Sequence, residues 1–465
     1  MERSRRGMLA SVAGVLALAG CGRPESAGPD ERSTIAASLE TRAKQQMDEP
    51  NEQRVSTEAL VDEYEADRYV LARGEQFHAI DDAEETLVRA DDLGRAINEA
   101  QATLTDGRVL VAASGLLGVP IEQADQISLA GLDERGELTP TEDAGESYAL
   151  YRASDGTTGG RFESLTLDMQ YRGGSAISVD RCSGLVLNDL DIDNVGVAGV
   201  VLSGSESVDI RDSRFEGISK EAVSLTNCSA VRVESCTVTE ANNAAAVANS
   251  SDITISAVDA RATDYSAFTI EDYTTNWEVS DCTAIDSGST PFSASTALNG
   301  AFVGCVAEGM TKANEAGFEI EYNSDQDEEN RRNPVRGCSV VSCTARDCNV
   351  GFYTREDEAH DTGTPVIRPR FIDCTATGCD TGLFIGANVE EAIVENFDAV
   401  DCNTDIVDNG VRTIIDGKSE NAGNPSSEGQ WFGQAATAAE LDVVVEDTSD
   451  GTQYTATEQG GWQPR

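Results

Sequence analysis

From about residue 185 to 410 the apolar positions come in short bursts of alternation, not in helical stripes. In Val231 to Ser251, Val231 and Val233 alternate with Arg232 and Glu234, which turns both valines inward. Ser235-Cys236 bends the chain and Thr237-Val238 makes a second strand. Glu240-Ala241-Asn242-Asn243 turns, Ala245 to Ala248 makes a third strand, and Asn249-Ser250-Ser251 closes the unit. One phrase then returns, around Cys236, Cys282, Cys305, Cys343 and Cys374, with Leu190, Ser213, Val258 and Phe397 holding the same place in weaker copies. The steps from Leu190 to Phe397 are 23, 23, 22, 24, 23, 38, 31 and 23 residues. A period near 23 with two insertions marks a solenoid. Three short strands per period, stacked about 4.8 Å apart, predict three parallel sheets around a narrow core.

The segment before the repeats predicts its own elements. Tyr69-Val70-Leu71 and Gln76 to Ile80 flank Ala72 to Glu75 as a hairpin, and Asp91 to Ala100 carries a helical period with acidic residues at its start. Asp106-Gly107 then turns into Arg108 to Val111, and Ile127 to Gly131 follows. Helix, turn, strand and repeats together resemble the right-handed parallel β-helix proteins of the pectin-lyase-like superfamily, over roughly residues 60–410. The resemblance implies an all-β fold of about ten coils, with an amphipathic helix covering the open N-terminal end. A left-handed β-solenoid is set aside because its six-residue spacing is absent. Residues 411–465 break the period; Trp431-Phe432, Leu441 to Glu446 and Gln453 to Trp462 are read as a small β cap.

Charge changes the picture of the surroundings. Asp and Glu number 83 against 34 Lys and Arg, a formal net charge of −49. Disordered acidic chains are unpatterned, whereas this one is patterned throughout, so the excess reads as a salt-adapted surface such as halophilic archaea make. No basic stripe is present to neutralise phosphates, which argues against a nucleic-acid partner. At the N-terminus, Ser4-Arg5-Arg6-Gly7-Met8-Leu9 is a twin-arginine pattern followed by an apolar run too short to span a bilayer. Leu18-Ala19-Gly20-Cys21 resembles a lipobox, which implies cleavage and lipidation at Cys21. Residues 1–21 are thus expected to be a signal, 22–58 a flexible tether, and 59–410 the N-cap and solenoid of an extracellular, lipid-anchored monomer. Asn227-Cys228-Ser229 and Asn249-Ser250-Ser251 are glycosylation sequons in turns.

Eleven cysteines remain after Cys21. Those repeating with the coil are read as small inward hydrophobes, with a disulfide most plausible between Cys348 and Cys379.

In pectin-lyase-like proteins the substrate lies along one parallel sheet, which directs attention to the third strand of each coil. Alternation from inward Val200, Val223, Phe268, Phe292, Phe318, Phe352 and Leu383 gives two outward columns. One runs Val201, Ser224, Ala246, Thr269, Ser293, Glu319, Tyr353, Phe384; the other runs Ser203, Thr226, Ala248, Glu271, Ser295, Glu321, Arg355, Gly386. Polar and aromatic residues gather where both insertions leave the chain, and the insertions bring Arg331, Arg332 and His360. Glu271, Glu319, Glu321, Tyr353 and Arg355 are the candidate catalytic groups; Phe384, Arg331, Arg332 and His360 are the candidate substrate contacts. Two carboxylates suit glycoside hydrolysis, whereas Arg355 or Tyr353 with Ca²⁺ held by acidic residues suits a uronate lyase. The partner is then a polysaccharide or surface glycan. The alternative is a surface protein without catalysis, in which Glu and Arg on adjacent rungs merely pair. The N-T-D, D-D and G-H-G motifs of polygalacturonases are missing from the repeats, as are the W-x-D-H of pectate lyases and the epimerase signature.

Overall fold

The computed structural model describes residues 64–416, except 133–135, 146–147, 314, 323–334 and 357–364, together with the strands Val444–Asp447, Thr452–Ala456 and Trp462–Pro464. Its body is a parallel β-helix of about 12 coils. The expected ten grow to twelve because Gly107–Val111, Gly115–Leu117, Ile121–Glu122, Ile127–Gly131 and Glu137–Pro140 are already coil strands, in register with the repeats. Arg108 to Val111 and Ile127 to Gly131 are legible in the sequence as entry strands, and irregular spacing conceals the other three. In the middle coils the three sheets are well separated, as in Thr275–Ser280, Thr283–Ile285 and Phe292–Ser295. Two coils depart from the expected form. The second and third strands run on without a break in Arg214–Thr226 and Thr237–Ala248, although left-handed Glu240 still turns the chain where the turn was predicted.

The repeated phrase has a backbone cause. Asp189, Asp212, Ser235, Ala257, Asp281, Gly304, Ser342, Asp373 and Asn396 all have φ between 50° and 63°. This left-handed conformation favours Gly and short polar residues. It turns the chain at a corner and aims the next residue inward, so Leu190, Ser213, Cys236, Val258, Cys282, Cys305, Cys343, Cys374 and Phe397 are all buried. Five residues on, Asn194, Gly217, Glu240, Ala262, Asp286, Gly309, Asp347, Gly378 and Asp401 make a second corner in the same way.

Each of the eleven described cysteines directly follows such a left-handed residue. Each thiol also donates to the carbonyl two residues before it, at 3.2–3.9 Å. Ser205, Ser213 and Ser250 use Oγ for the same bond. Cysteine thus fills the corner as a small hydrophobe and adds a second donor to a carbonyl that already accepts a backbone N–H from the neighbouring coil, as Ser280 O does from Ala257 N at 3.0 Å. All eleven are free thiols, Cys348 and Cys379 included. Burial pushes the thiol of Cys236 up to about 11 and those of Cys338 and Cys374 up to about 12, so they stay neutral.

Under the third sheet, Phe268, Phe292, Phe318 and Phe352 stack at centroid spacings of 5.0, 4.7 and 5.1 Å, one ring per rung. The N-terminal end is closed as expected. The helix Leu93–Gln101 is capped by Asp92, whose Oδ1 accepts from Arg95 N, and it buries Leu93, Ala96, Ile97 and Ala100. The hairpin Arg68–Arg73 with Gln76–Ile80 gains an unforeseen third strand, Thr86–Ala90.

Candidate functional site

The register of the third sheet brings both outward columns together as the alternation requires. Thr269, Ser293, Glu319, Tyr353 and Phe384 are successive cross-strand partners. Ser295 pairs with Glu321 and Glu321 with Arg355, while Glu271 ends the strand two rungs before Glu321. In the early coils this face is half-open. From Thr269 onward much of it is covered, with Thr269 5% exposed, Ser293 7%, Ser295 5%, Glu319 6% and Tyr353 7%, while Glu271, Glu321 and Phe384 stay partly exposed.

Burying carboxylates among one another moves their proton affinity. Glu271 is pushed up to about 7, first by burial and then by the charges of Asp272, Glu321 and Glu221. Burial also raises Asp272. A carboxyl that carries a proton near neutrality within a cluster of acids is a pattern that acid–base chemistry uses.

The segments joining the second and third strands form one wall of this face. Asn243, itself buried, donates from Nδ2 to Ser266 O at 2.7 Å and to Thr269 Oγ1 at 3.2 Å, tying the 262–267 segment to the sheet. Thr263 Oγ1 holds Tyr265 O at 3.1 Å and Ser287 Oγ at 2.9 Å. The Tyr265 side chain stands 53% exposed from this fixed backbone. Its phenol is raised by partial burial and by the charges of Glu271, Glu315, Glu321 and Glu319, so it lies within electrostatic reach of the carboxylate patch. Glu315 is pinned: it accepts from Ser289 Oγ at 3.0 Å, Thr290 N at 3.1 Å and Thr290 Oγ1 at 2.8 Å.

The structure therefore brings Glu271, Glu319 and Glu321 onto one face, with Tyr353 and the backbone of Arg355 in register beside them. Phe384 is half-buried and meets the Tyr353 ring edge-on at 5.0 Å, so Tyr353 already occupies one of its sides. Arg331, Arg332, His360 and Cys21 lie outside the described residues. Among the described residues no three His, Cys, Asp or Glu side chains converge as metal ligands, so the Ca²⁺ of the lyase alternative has no described cage. Tyr265, Glu315 and Asn243 were missed because alternation reads strands and these three were not read as strand. One signal was available: Tyr265 is an aromatic in a joining segment that elsewhere reads N-V-G-V-A-G, G-I-S-K-E-A or D-S-G-S-T-P.

The fold and this face define a parallel β-helix with a carboxylate-bearing sheet. Residues 175–360 match the family described as right handed beta helix region. Among solved structures, the catalytic domain of a GH87 alpha-1,3-glucanase in complex with nigerose is similar at a TM-score of 0.55 and 9% identity. That likeness covers 70% of this chain and 66% of that one. The catalytic unit of the thermostable GH87 alpha-1,3-glucanase from Streptomyces thermodiastaticus strain HF3-3 is similar at 0.53 and 12%, covering 71% and 66%. The A-module of the Azotobacter vinelandii mannuronan C-5 epimerase AlgE4 follows at 0.47 and 11%, covering 70% and 96%. This chain thus spans just under two thirds of the glucanase domains. No curated protein matches the sequence.

Proposed function

We propose that this protein is an exported, lipid-anchored β-helix that binds a polysaccharide along its third sheet and hydrolyses it. The carrying observation is Glu271, a carboxyl raised to about 7 on the outward face, two rungs from Glu321. Two rungs amount to about 9.6 Å of backbone, which leaves room for a water between the carboxyl groups, as in inverting glycosidases. In this scheme Glu271 gives its proton to the glycosidic oxygen as the C–O bond breaks. Glu321 takes a proton from the water that attacks the anomeric carbon from the opposite side, so the product is inverted. Tyr265 offers the sugar a ring face at the wall. The concentration of Glu271, Asp272, Glu315, Glu319 and Glu321 favours a neutral glycan over a uronate. Burial of Tyr353 against Phe384 weighs against the lyase chemistry in which it would be the base. The anchor at Cys21 would hold the enzyme on the outer face of the membrane.

The test is product release from neutral and uronic polysaccharides in molar salt, with and without Ca²⁺. Turnover of a neutral polymer is expected, and Glu271→Gln should lower it by about 10³-fold. Full activity in that variant overturns the assignment. The burial of Glu319 favours a second reading, a glycan-binding face without turnover; binding with no product from any polymer would select it.

A further inference from the structure

The wall that carries Tyr265 continues well beyond the carboxylate patch. Of the described aromatic side chains, only Tyr171 and Tyr265 are more than half exposed, at 60% and 53%. Both stand on segments that join a second strand to a third. Asp168 pairs with Asp193, Asp193 with Glu216, Glu216 with Thr239 and Thr239 with Arg261, so the two tyrosines lie four coils apart on the same corner. Four coils are about 19 Å of backbone, the length of a short oligosaccharide.

Tyr171 has a seat of its own. Its backbone N–H donates to Asn194 O at 2.6 Å, on the next coil. Its hydroxyl reaches one coil further, since a Cβ built on Gly217 would meet Tyr171 Oη at 2.9 Å. Asn194 and Glu240 hold the place of Gly217 in the coils before and after, so a glycine falls where the phenol needs room. The ring therefore leans along the solenoid toward Tyr265, with its hydroxyl two coils from its own backbone and two from the Tyr265 coil.

The surface between the rings is polar. The corner segments present Val197, Ser219, Lys220, Glu240 and Asn242, all at least partly exposed. Alongside, the outward face of the third sheet is lined by Ser178, Val201, Ser224 and Ala246, which are small and partly exposed. A low floor, hydrogen-bonding side chains and an aromatic at each end suit a sugar chain, whose rings offer C–H faces for stacking and hydroxyls for the polar groups. Burial and the charges of Glu240, Asp168 and Asp193 raise the Tyr171 phenol, so a uronate would meet repulsion at this end as well.

We infer that Tyr171 is a second sugar platform, so that a neutral glycan extends from Tyr265 along this corner over the early coils. The inference rests on the polysaccharide reading above and adds to it a remote subsite and a ligand long enough to reach both rings. Binding is measured in molar salt on an array of neutral glucan, mannan, xylan and galactan oligosaccharides, from disaccharides to decasaccharides. The full chain is compared with Tyr171→Ala, Tyr171→Phe and Tyr265→Ala, with thermal melts alongside. Tyr171→Ala should weaken the long ligands about tenfold and leave disaccharides, which cover one ring only, almost unaffected. Tyr171→Phe keeps the ring and should keep the affinity, while Tyr265→Ala should weaken ligands of every length. Undiminished binding of long ligands by Tyr171→Ala overturns the inference and leaves the polysaccharide reading standing. Equal loss at every length also overturns it, because Tyr171 would then support the fold and not a remote subsite. A full chain that binds none of these sugars overturns the polysaccharide reading and this inference together.

Discussion

The corners of the coil and the outward face of its third sheet both bury ionisable side chains, at opposite cost. At a corner the thiol of Cys282 is 1% exposed, caps Ser280 O at 3.2 Å and stays neutral. On the face Glu271 is drawn out of water beside other acids, and burial drives its proton affinity up. The corner residue stabilises the fold it sits in. The face residue destabilises it whenever charged, so its retention needs a return other than stability. A buried ionisable group with a structural partner reads as architecture, and one held against its own solvation reads as chemistry.

The largest effect that can break this contrast is in stability. With the folded carboxyl of Glu271 near 7 and its ordinary value at 4.5, the folded state holds the proton more tightly than the unfolded chain. The stability linked to this group is therefore complete below pH 4.5, is lost as pH rises through 7, and stays lost above it. Glu271→Gln has no proton to lose. It should match the parent below pH 4.5 and exceed it by about 1–3 kcal/mol above pH 7, measured by thermal melts at fixed salt. A variant that is less stable than the parent at pH 8 would mean that Glu271 is a structural partner after all.

Much of the fold was legible because it follows from backbone periodicity. Alternation gave the inward column from Val200 to Leu383, and the 23-residue step gave the stacking, both of which the register reproduces. The same alternation set Glu271, Glu319 and Glu321 on one face. It could not show that Glu319 and Tyr353 are covered while Tyr265 stands out, since cover comes from segments joining strands, whose paths no periodicity fixes. Nor could it explain cysteine. The left-handed residue before each one is written in the sequence as Asp, Ser, Asn, Gly or Arg, but its φ and the carbonyl it exposes become visible only in three dimensions.

A smaller effect tests the corner itself. Asp281 has φ 53°, and the same place one coil on is Gly304. Asp281→Gly should therefore be nearly neutral, while Asp281→Val forces a β-branched residue into the left-handed region and should cost about 2 kcal/mol, read from denaturant midpoints. Equal cost for both would show that the side chain of Asp281, and not its backbone, makes the corner.

The smallest effect separates the two roles given to cysteine. If Cys282 serves only as a hydrophobe, serine is the worse replacement, because it brings a hydroxyl into an apolar column. If it also caps Ser280 O, serine keeps the cap, as Ser213 does for Arg211 O at 2.8 Å in an equivalent corner, and alanine loses it. Cys282→Ser should then cost less than about 1 kcal/mol and Cys282→Ala about 1–2 kcal/mol, since alanine leaves Ser280 O with only the bond from Ala257 N and opens a small void. The order of the two variants, more than either magnitude, is the measurement: serine below alanine in stability would reduce the thiol ladder to packing alone.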